Sequence, residues 1–518
     1  MKETPKNLKT VLSLAELPCP TERDESETDG VETDSRSADL HGKIFVCMRG
    51  HAYDSHRDIL RVAKAGAVLI VVQKGWENPD DVIAAKALGV PILSVSDSRA
   101  AYACLCSAMT LHAHRGLKLI AVTGTNGKTT ITQLLAHLFA AAGKRCAAIG
   151  TVSPFGQVFS GGAVEVSKRQ STGLANMTTP DPDVLYPLLR EYAESGVEYV
   201  FMEASSHALA LQKLAPIHFT AAVFTNLTQD HLDFHKTREN YAAAKEKLFF
   251  MTDFAVLNID DSFGKILAKR IPCPCLKCSV SPTTVSADFL AQDIACGKAG
   301  SSFTVRTDAK TERYETPMFG EYQVMNCLEA IALAAHFGVD GERVHRALAD
   351  FSGVCGRGEW ISPATGESVG VMIDYAHTPD AMEQVLRSAR RICGEKTKMT
   401  VLFGCGGERE KEKRALMGEI AARYADTVVL TSDNARGEST DDILADIQQG
   451  IPKEKKFTVI PDREEAIRYA IDQAAYGDAV LLLGKGHERY EIIGNRRLPF
   501  DEAAIAADAL RKKGRNSV

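Results

Sequence analysis

At 518 residues the chain is too long for one hydrophobic core, so three domains of ordinary size are expected. Its 45% apolar and 25% charged residues are those of a soluble globular protein, and a net charge of −6 excludes general attraction to nucleic acid or membrane surfaces. No run approaches the roughly 20 apolar residues of a membrane span. Residues 1–40 are too polar for a signal peptide, and 13 scattered cysteines make no disulfide framework. A cytoplasmic protein without stable membrane insertion is expected.

A short helix is expected to begin within 11–20, followed by an exposed acidic loop over 21–30. From Val31 the pattern changes. Asp34-Ser35-Arg36 precedes a strand at 43–48, and Arg49-Gly50-His51 with Asp54 precedes a helix at 57–65. A continuous apolar strand at 67–72, a further helix and a strand at 90–95 complete an α/β domain ending near Arg115.

The apolar run 117–122 then feeds into Gly124-Thr-Asn-Gly-Lys-Thr-Thr130, and a helix-patterned segment at 131–142 is closed by Gly143. Strand, glycine turn and helix are the context of a phosphate-binding loop. Backbone N–H groups from Gly124, Thr125, Asn126 and Gly127 would face one anion together with the helix N-terminus that carries Thr130. Lys128 would reach the terminal phosphates, and the Thr129 hydroxyl is placed to bind Mg2+. The general pattern wants a glycine five places before Gly127, where Val122 stands, so this is a shortened variant.

Later strands are expected at 145–151, 199–204, 221–226 and 254–259. Two run into polar groups, Glu203-Ala-Ser-Ser-His207 and Asn226-Leu-Thr-Gln-Asp-His-Leu-Asp233. In open parallel sheets ligands bind at the carboxyl ends of strands, where a carboxylate and an imidazole can complete a Mg2+ shell. Taken alone, His207 and His231 read as buried structural histidines; the position of His231 after a strand beside the phosphate loop reverses that reading. The tract 272–314 is irregular and expected to leave the parallel core. Its Cys273, Cys275 and Cys278, on a proline-containing loop, offer three zinc ligands with no evident fourth. A helix at 326–337 is expected behind the site.

A third α/β pattern starts near Gly353, with strands at 369–373, 399–403, 426–431, 457–460 and 479–483. Gly356-Arg357-Gly-Glu359, Asp374-Tyr-Ala-His-Thr-Pro-Asp380 and Gly484-Lys-Gly-His-Glu488 punctuate its strand ends and loops. An arginine there could add charge at a triphosphate.

Together with Thr178-Thr-Pro180 and Asn326, these motifs resemble the Mur ligase family, in order and spacing, over nearly the whole chain. Within it the resemblance is to members that add the third amino acid to the peptidoglycan precursor peptide. It implies an α/β fold of three domains: residues 1–115 bind the uridine nucleotide, 116–350 form a P-loop-type central parallel sheet binding ATP, and 351–518 form a Rossmann-like domain for the incoming amino acid. The implied reaction phosphorylates the terminal carboxylate of UDP-MurNAc-L-Ala-D-Glu with ATP. A diamino acid then attacks the acyl phosphate, and a tetrahedral intermediate collapses to the amide.

By that resemblance Glu203 and His231 hold Mg2+, and Asn326, Arg357 and Asp374 contact ATP. Ser35 and His51 belong to the uridine-nucleotide domain, and Thr178, Thr179 and Ser205 grip the muramoyl dipeptide. Lys213 stands where family members have an arginine, with Leu211 where a glutamine is common; lysine keeps the charge but loses the bidentate fork. Lys245, in Tyr241-Ala-Ala-Ala-Lys245, matches a lysine that carbon dioxide converts to a carbamate ordering a second Mg2+; without the resemblance it reads as a surface lysine. Thr431-Ser-Asp433-Asn434-Ala-Arg436 resembles the Asp-Asn-Pro-Arg signature of members that add meso-diaminopimelate, with Ala435 replacing proline. Arg409, Gly484 and Glu488 match the remaining contacts. A monomer is expected. The alternatives are L-lysine or another diamino acid as acceptor, a folylpolyglutamate synthetase-like ligase, against which residues 31–95 argue, or a non-catalytic nucleotide-binding regulator, against which Lys128, Glu203 and His231 argue.

Overall fold

Short apolar strands alternating with helices dominate the chain, because each parallel strand needs a crossover long enough to return it to the same edge. The computed structural model describes residues 3–20, 25–50, 53–160, 163–166, 177–284, 286–297, 299–362, 364, 368–394 and 396–516. The chain packs as two units: Met1–Ala121, Gly143–Ala222 and Lys247–Phe254 form one, and Val122–Ala142, Val223–Glu246 and Ala255–Val518 the other.

The first unit opens with a parallel sheet of Gly30–Glu32, Lys43–Val46, Leu69–Gln73 and Ile92–Val95, in that order. Phe45, Ile70 and Val72 pack with Ile59 and Val62 of the helix Ile59–Lys64. The helix Ser98–Met109 starts where Asp97 accepts from the Arg99 and Ala100 amides, a cap worth about 1 kcal/mol. Further along, Cys146–Gly150 runs parallel to Tyr199–Glu203 and antiparallel to Ser153–Ser160, which turns back into Ala163–Val166. That hairpin carried no recognised sequence signal.

In the second unit the phosphate loop leads into the helix Lys128–Ala141, which packs against the largely buried helix Glu321–His336. The tract expected to leave the parallel core instead extends it. Cys275–Ser279 pairs parallel to Ala255–Asn258, and Phe289–Gly297 pairs parallel to Cys275–Ser279. Gly300–Arg306 and Thr311–Thr316 then add antiparallel strands. The helix Ser262–Arg270, capped by Asp261, supplies the crossover that makes the parallel pairing possible. Prolines at 272 and 274 and the half-buried start of Cys275–Ser279 hid the strand. Cys275 and Cys278 therefore lie on a strand rather than a loop, with Cys278 buried. Among the described residues no three His, Cys, Asp or Glu side chains group as a metal site.

The last sheet has the order Arg357–Ser362, Gly370–Asp374, Ala479–Leu483, Met399–Phe403, Thr427–Leu430, Phe457–Val459, parallel except for its first strand. Its inner strands are apolar on both faces, as a sheet covered on both sides requires. Met372, Val401, Phe403 and Leu481 meet the helices Pro379–Cys393, Glu412–Tyr424 and Thr440–Gln448. Val371, Leu402, Val480 and Leu482 meet Arg463–Gln473 and Glu502–Asn516. A hairpin, Tyr490–Ile493 with Arg496–Pro499, follows the Gly484–Glu488 turn. Among the described residues no helix is long and apolar enough to cross a membrane.

Candidate active site

The loop after Lys118–Thr123 is shaped by two glycines with positive φ, Gly124 at +150° and Gly127 at +87°. A Cβ on Gly124 would lie 1.8 Å from the Thr225 hydroxyl, and one on Gly127 2.6 Å from Asn326 Oδ1. Only glycine leaves that concavity open. The Thr125 amide donates to the Asn226 carbonyl at 2.8 Å and the Asn126 amide to Asn226 Oδ1 at 2.9 Å, tying the loop to the end of the neighbouring strand. Lys128 Nζ donates to the carbonyls of Gly124 and Thr125 at 2.9 and 2.7 Å. No acidic residue occupies the first helical turn, which leaves the N-terminal end suited to an anion.

Beneath the loop lies Lys245, on the helix Arg238–Glu246 and only 1% exposed. This overturns the surface-lysine reading. Its amine donates to the Gly124 carbonyl at 2.7 Å and sits 4.5 Å from the Tyr241 ring, whose hydroxyl lies 3.1 Å from Thr125 Oγ1. Burial, and then the charge of Lys128, pull the Lys245 pKa well below the usual lysine value. His231 has φ +55° and lies with Nε2 3.3 Å from Asp230 Oδ2. Burial would raise the Asp230 carboxyl, but His231, His377 and Lys413 outweigh it and hold it low.

The motifs after the helix Gly341–Asp350 meet this loop within the same unit. Arg357 donates to Thr129 Oγ1 at 3.2 Å and stacks 4.3 Å from the Tyr375 ring. Asn126 Nδ2 donates to Asp380 Oδ2 at 3.2 Å, and the Gln229 amide donates to Glu410. Asp374, at the carboxyl end of its strand, is buried, which pushes its carboxyl up to about 6 against the opposing pull of Arg357.

A second group lies at the carboxyl ends of adjacent strands of the last sheet, where turns follow Phe403, Leu430 and Leu483. Arg436, with φ +53°, donates from Nη1 to the carbonyls of Gly407 and Asn434 at 2.9 and 3.2 Å. Burial, and then the nearby charge of Arg409, lower the Arg436 pKa, so this corner suits an anion. Asn434 Nδ2 donates to Glu488 Oε2 at 2.7 Å. Gly484, at φ +108°, passes Asp433 so closely that a Cβ would stand 3.0 Å from Oδ2.

In the first unit, Glu203 ends its strand buried and accepts from the Thr151 amide and hydroxyl at 2.7 and 3.1 Å. A Cβ on Gly150 would fall 2.1 Å from Glu203 Oε1, so the carboxylate occupies space that only glycine concedes. Thr178 Oγ1 lies 3.2 Å from Thr151 Oγ1, which can accept its proton. Thr179 Oγ1 donates to the Glu203 carbonyl at 2.7 Å and accepts from the Ser205 amide at 3.0 Å. Lys213 Nζ lies 2.8 Å from Asp181 Oδ1 and 3.4 Å from the Thr179 carbonyl, so the lysine serves this cluster as a point charge. In the N-terminal sheet region, Ser35 is buried and donates to Asp58, which also accepts from Tyr53 at 2.6 Å. His51 lies outside the described residues.

The structure thus gathers Gly124 to Thr130, His231, Lys245, Asn326, Arg357 and Asp374 around one loop. It gathers Arg409, Asp433, Asn434, Arg436, Gly484 and Glu488 around another, both in the second unit. Sequence reasoning assigned no role to Asp230, Asp380, Glu410, Lys413 or Lys485. Asp230, Asp380 and Lys485 lay inside quoted motifs, and burial is the signal that was invisible.

Phosphate loop, parallel sheet and a second Rossmann-like sheet define a nucleotide-dependent enzyme of the P-loop-type α/β class. Residues 122–334 match the Mur ligase middle domain and 356–486 the Mur ligase glutamate ligase domain. Two relatives, both UDP-N-acetylmuramoyl-L-alanyl-D-glutamate--2,6-diaminopimelate ligases, are 39% identical (Geobacillus kaustophilus, over 93% of this chain and 95% of that one) and 36% identical (Syntrophomonas wolfei, over 94% and 95%). A solved structure of a ligase of the same name is 29% identical, covering 97% of this chain and 99% of its own, with a TM-score of 0.65. The chain belongs to the Mur ligase family, whose members are ATP-dependent ligases.

Proposed function

We propose that this protein is the ATP-dependent ligase that adds meso-diaminopimelate to UDP-MurNAc-L-Ala-D-Glu in peptidoglycan precursor synthesis, acting as a cytoplasmic monomer. Residues 1–115 hold the uridine nucleotide, with Ser35 and His51 in that role, 116–350 carry ATP and 351–518 the amino acid. The observation that carries this reading is the pairing of a guanidinium, Arg436, with a carboxylate, Glu488, through the single residue Asn434. An amino acid whose distal carbon bears both carboxylate and ammonium needs one partner of each sign. The names of the relatives support the same acceptor.

Phosphoryl transfer asks for positioning and neutralised charge rather than covalent help. The loop amides and Lys128 take the phosphates, Arg357 adds charge, and Asn326 and Asp374 contact the nucleotide. Thr178, Thr179, Ser205 and Lys213 fix the muramoyl dipeptide so that its terminal carboxylate attacks the γ-phosphorus, with ADP leaving. The acceptor's neutral amine then attacks the acyl carbon, and the tetrahedral intermediate expels phosphate.

The Thr129 hydroxyl and the buried Glu203 carboxylate would each offer magnesium an oxygen donor, and His231 would offer an imidazole. When bound, the ion neutralises charge on the phosphate oxygens. Burial and the charge of Lys128 disfavour the Lys245 ammonium, and the neutral amine is the form that carbon dioxide requires: its nitrogen would bond the carbon, one proton would be released, and the resulting carbamate would offer an anionic ligand for a second ion. The test is phosphate release by the purified protein with ATP and magnesium. Release is expected only when UDP-MurNAc-dipeptide and diaminopimelate are both present; release with neither, or with a folate substrate instead, overturns the reading.

A further inference from the structure

Lys485 is fully buried in the turn Gly484–Glu488, and its ammonium meets three acceptors: Tyr490 O at 3.1 Å, Asn434 Oδ1 at 3.2 Å and Asp433 Oδ1 at 3.4 Å. Three N–H donors and three oxygens leave the group fully satisfied. The simplest account is charge compensation for the buried Asp433. Compensation does not require the contact to Asn434, and that contact has consequences.

An asparagine side chain has one accepting and one donating end. Asn434 Oδ1 accepts both from Lys485 and from the Ile492 amide at 2.9 Å. Its NH2 end must therefore point the other way, where it donates to Glu488 Oε2. The Asn434 carbonyl accepts from Arg436 Nη1 and from the Gly407 amide, the latter at 2.9 Å. The Glu488 amide in turn donates to the Lys485 carbonyl at 3.0 Å, closing the turn that carries the carboxylate. Lys485 and the Ile492 amide thus together fix the orientation of the side chain that donates to Glu488.

We propose that Lys485 is a positioning residue for the acceptor amino acid: together with the Ile492 amide it locks the Asn434 side chain in one orientation, which holds the Glu488 carboxylate opposite the Arg436 guanidinium bound at the Asn434 backbone carbonyl, the pairing that a zwitterionic distal centre requires. The inference rests on the acceptor reading given above. Behind it, Arg463 donates to the Ser432 and Leu483 carbonyls at 3.0 and 2.9 Å and pairs with Glu502, fixing the bases of both turns. Lys485 touches no substrate in this scheme; it acts through Asn434.

The experiment compares wild type, Lys485→Met, Asn434→Ala and the double variant in steady-state assays, with nucleotide binding measured separately. Wild type must first use diaminopimelate in preference to L-lysine; if it does not, the acceptor reading fails and no variant is needed to show it. Given that preference, Lys485→Met is expected to raise the diaminopimelate KM about tenfold or more and to narrow the preference over L-lysine, while nucleotide affinity stays within about twofold. In the Asn434→Ala background the same substitution is expected to add little, because two residues acting through one contact are not additive. Should Lys485→Met not fold, Lys485→Arg carries the test, since it keeps a cation beside Asp433 but replaces the compact ammonium with a planar fork. An unchanged acceptor KM in a variant that binds nucleotide normally overturns the proposal. So does a penalty that is fully additive with Asn434→Ala, or one that falls equally on nucleotide and acceptor.

Discussion

The Lys245 amine, buried within the second unit, donates to the carbonyl of Gly124 at 2.7 Å, placing a titratable nitrogen directly under the turn of the phosphate loop. An ammonium there is disfavoured by burial and by Lys128, and the neutral amine is the form that adds carbon dioxide. Activity is therefore expected to rise with added bicarbonate after the protein is stripped of carbon dioxide. A carbamate carbon should appear in the 13C spectrum with labelled bicarbonate and vanish in Lys245→Ala, with turnover down about a hundredfold or more. A plain amine under bicarbonate together with a fully active Lys245→Ala protein sinks the assignment.

Lys128 Nζ donates to the backbone carbonyls of Gly124 and Thr125 in its own loop. These bonds hold the ammonium at the phosphate loop. Lys128→Ala is expected to cost about a thousandfold in amide formation, on the scale of removing a group that meets charge developing in the transition state. Thermal stability should change little. Full turnover in a correctly folded variant is the contrary result.

The phosphate loop and the inner strands of the last sheet were legible because Lys118–Thr123, Gly370–Asp374, Met399–Phe403, Thr427–Leu430 and Ala479–Leu483 are short, mainly apolar runs. The first strand of that sheet, Arg357–Ser362, is largely polar and was not expected. The strands Met399–Phe403 and Ala479–Leu483 have the limits expected from the sequence alone. Cys275–Ser279 was not legible, because prolines precede it and its first residues are only half-buried. Site residues were readable where they end a strand, as Glu203 and Asp374 do. Lys485 and Asp230 are buried, and a residue's burial and partners are properties of the fold that a lone motif does not display. The surface reading of Lys245 failed for the same reason.

Asp374 gives the enzyme a pH signature. Burial raises its carboxyl from 3.8 to about 6, although Arg357 pulls the other way. A carboxyl raised on folding contributes stability that is complete below its unfolded pKa and is lost as pH rises through its folded value. Wild type should therefore lose stability relative to Asp374→Asn between pH about 4 and about 6. In the proposed nucleotide contact the ionised carboxylate is the acceptor, so the apparent KM for ATP should climb as pH falls below about 6, and this climb should be absent in Asp374→Asn. Thermal melts and ATP titrations across that range, giving parallel curves for both proteins, would show that Asp374 does not titrate there.

On the proposed acceptor reading, selectivity turns on Arg436. Its guanidinium is half-buried, held by the carbonyls of Gly407 and Asn434, and faces the like charge of Arg409. Burial and Arg409 together outweigh the pull of Asp433 and Glu488 on this guanidinium, so the site gains by taking a carboxylate. Diaminopimelate brings one at its distal centre. L-lysine offers only the ammonium, for which Glu488 is the partner, and would leave Arg436 partly desolvated and unpaired. Arg436→Ala is expected to cut kcat/KM for diaminopimelate by about a hundredfold or more while leaving that for L-lysine within a few-fold, so that selectivity collapses mainly through loss of the better substrate. Arg436→Lys should recover only part of it, because a point charge replaces a fork that pairs bidentately with a carboxylate. The measurement is a competition between the two amino acids under limiting enzyme, with products separated and counted. A wild type that prefers L-lysine refutes the assignment, as does an Arg436→Ala protein that keeps its full preference for diaminopimelate.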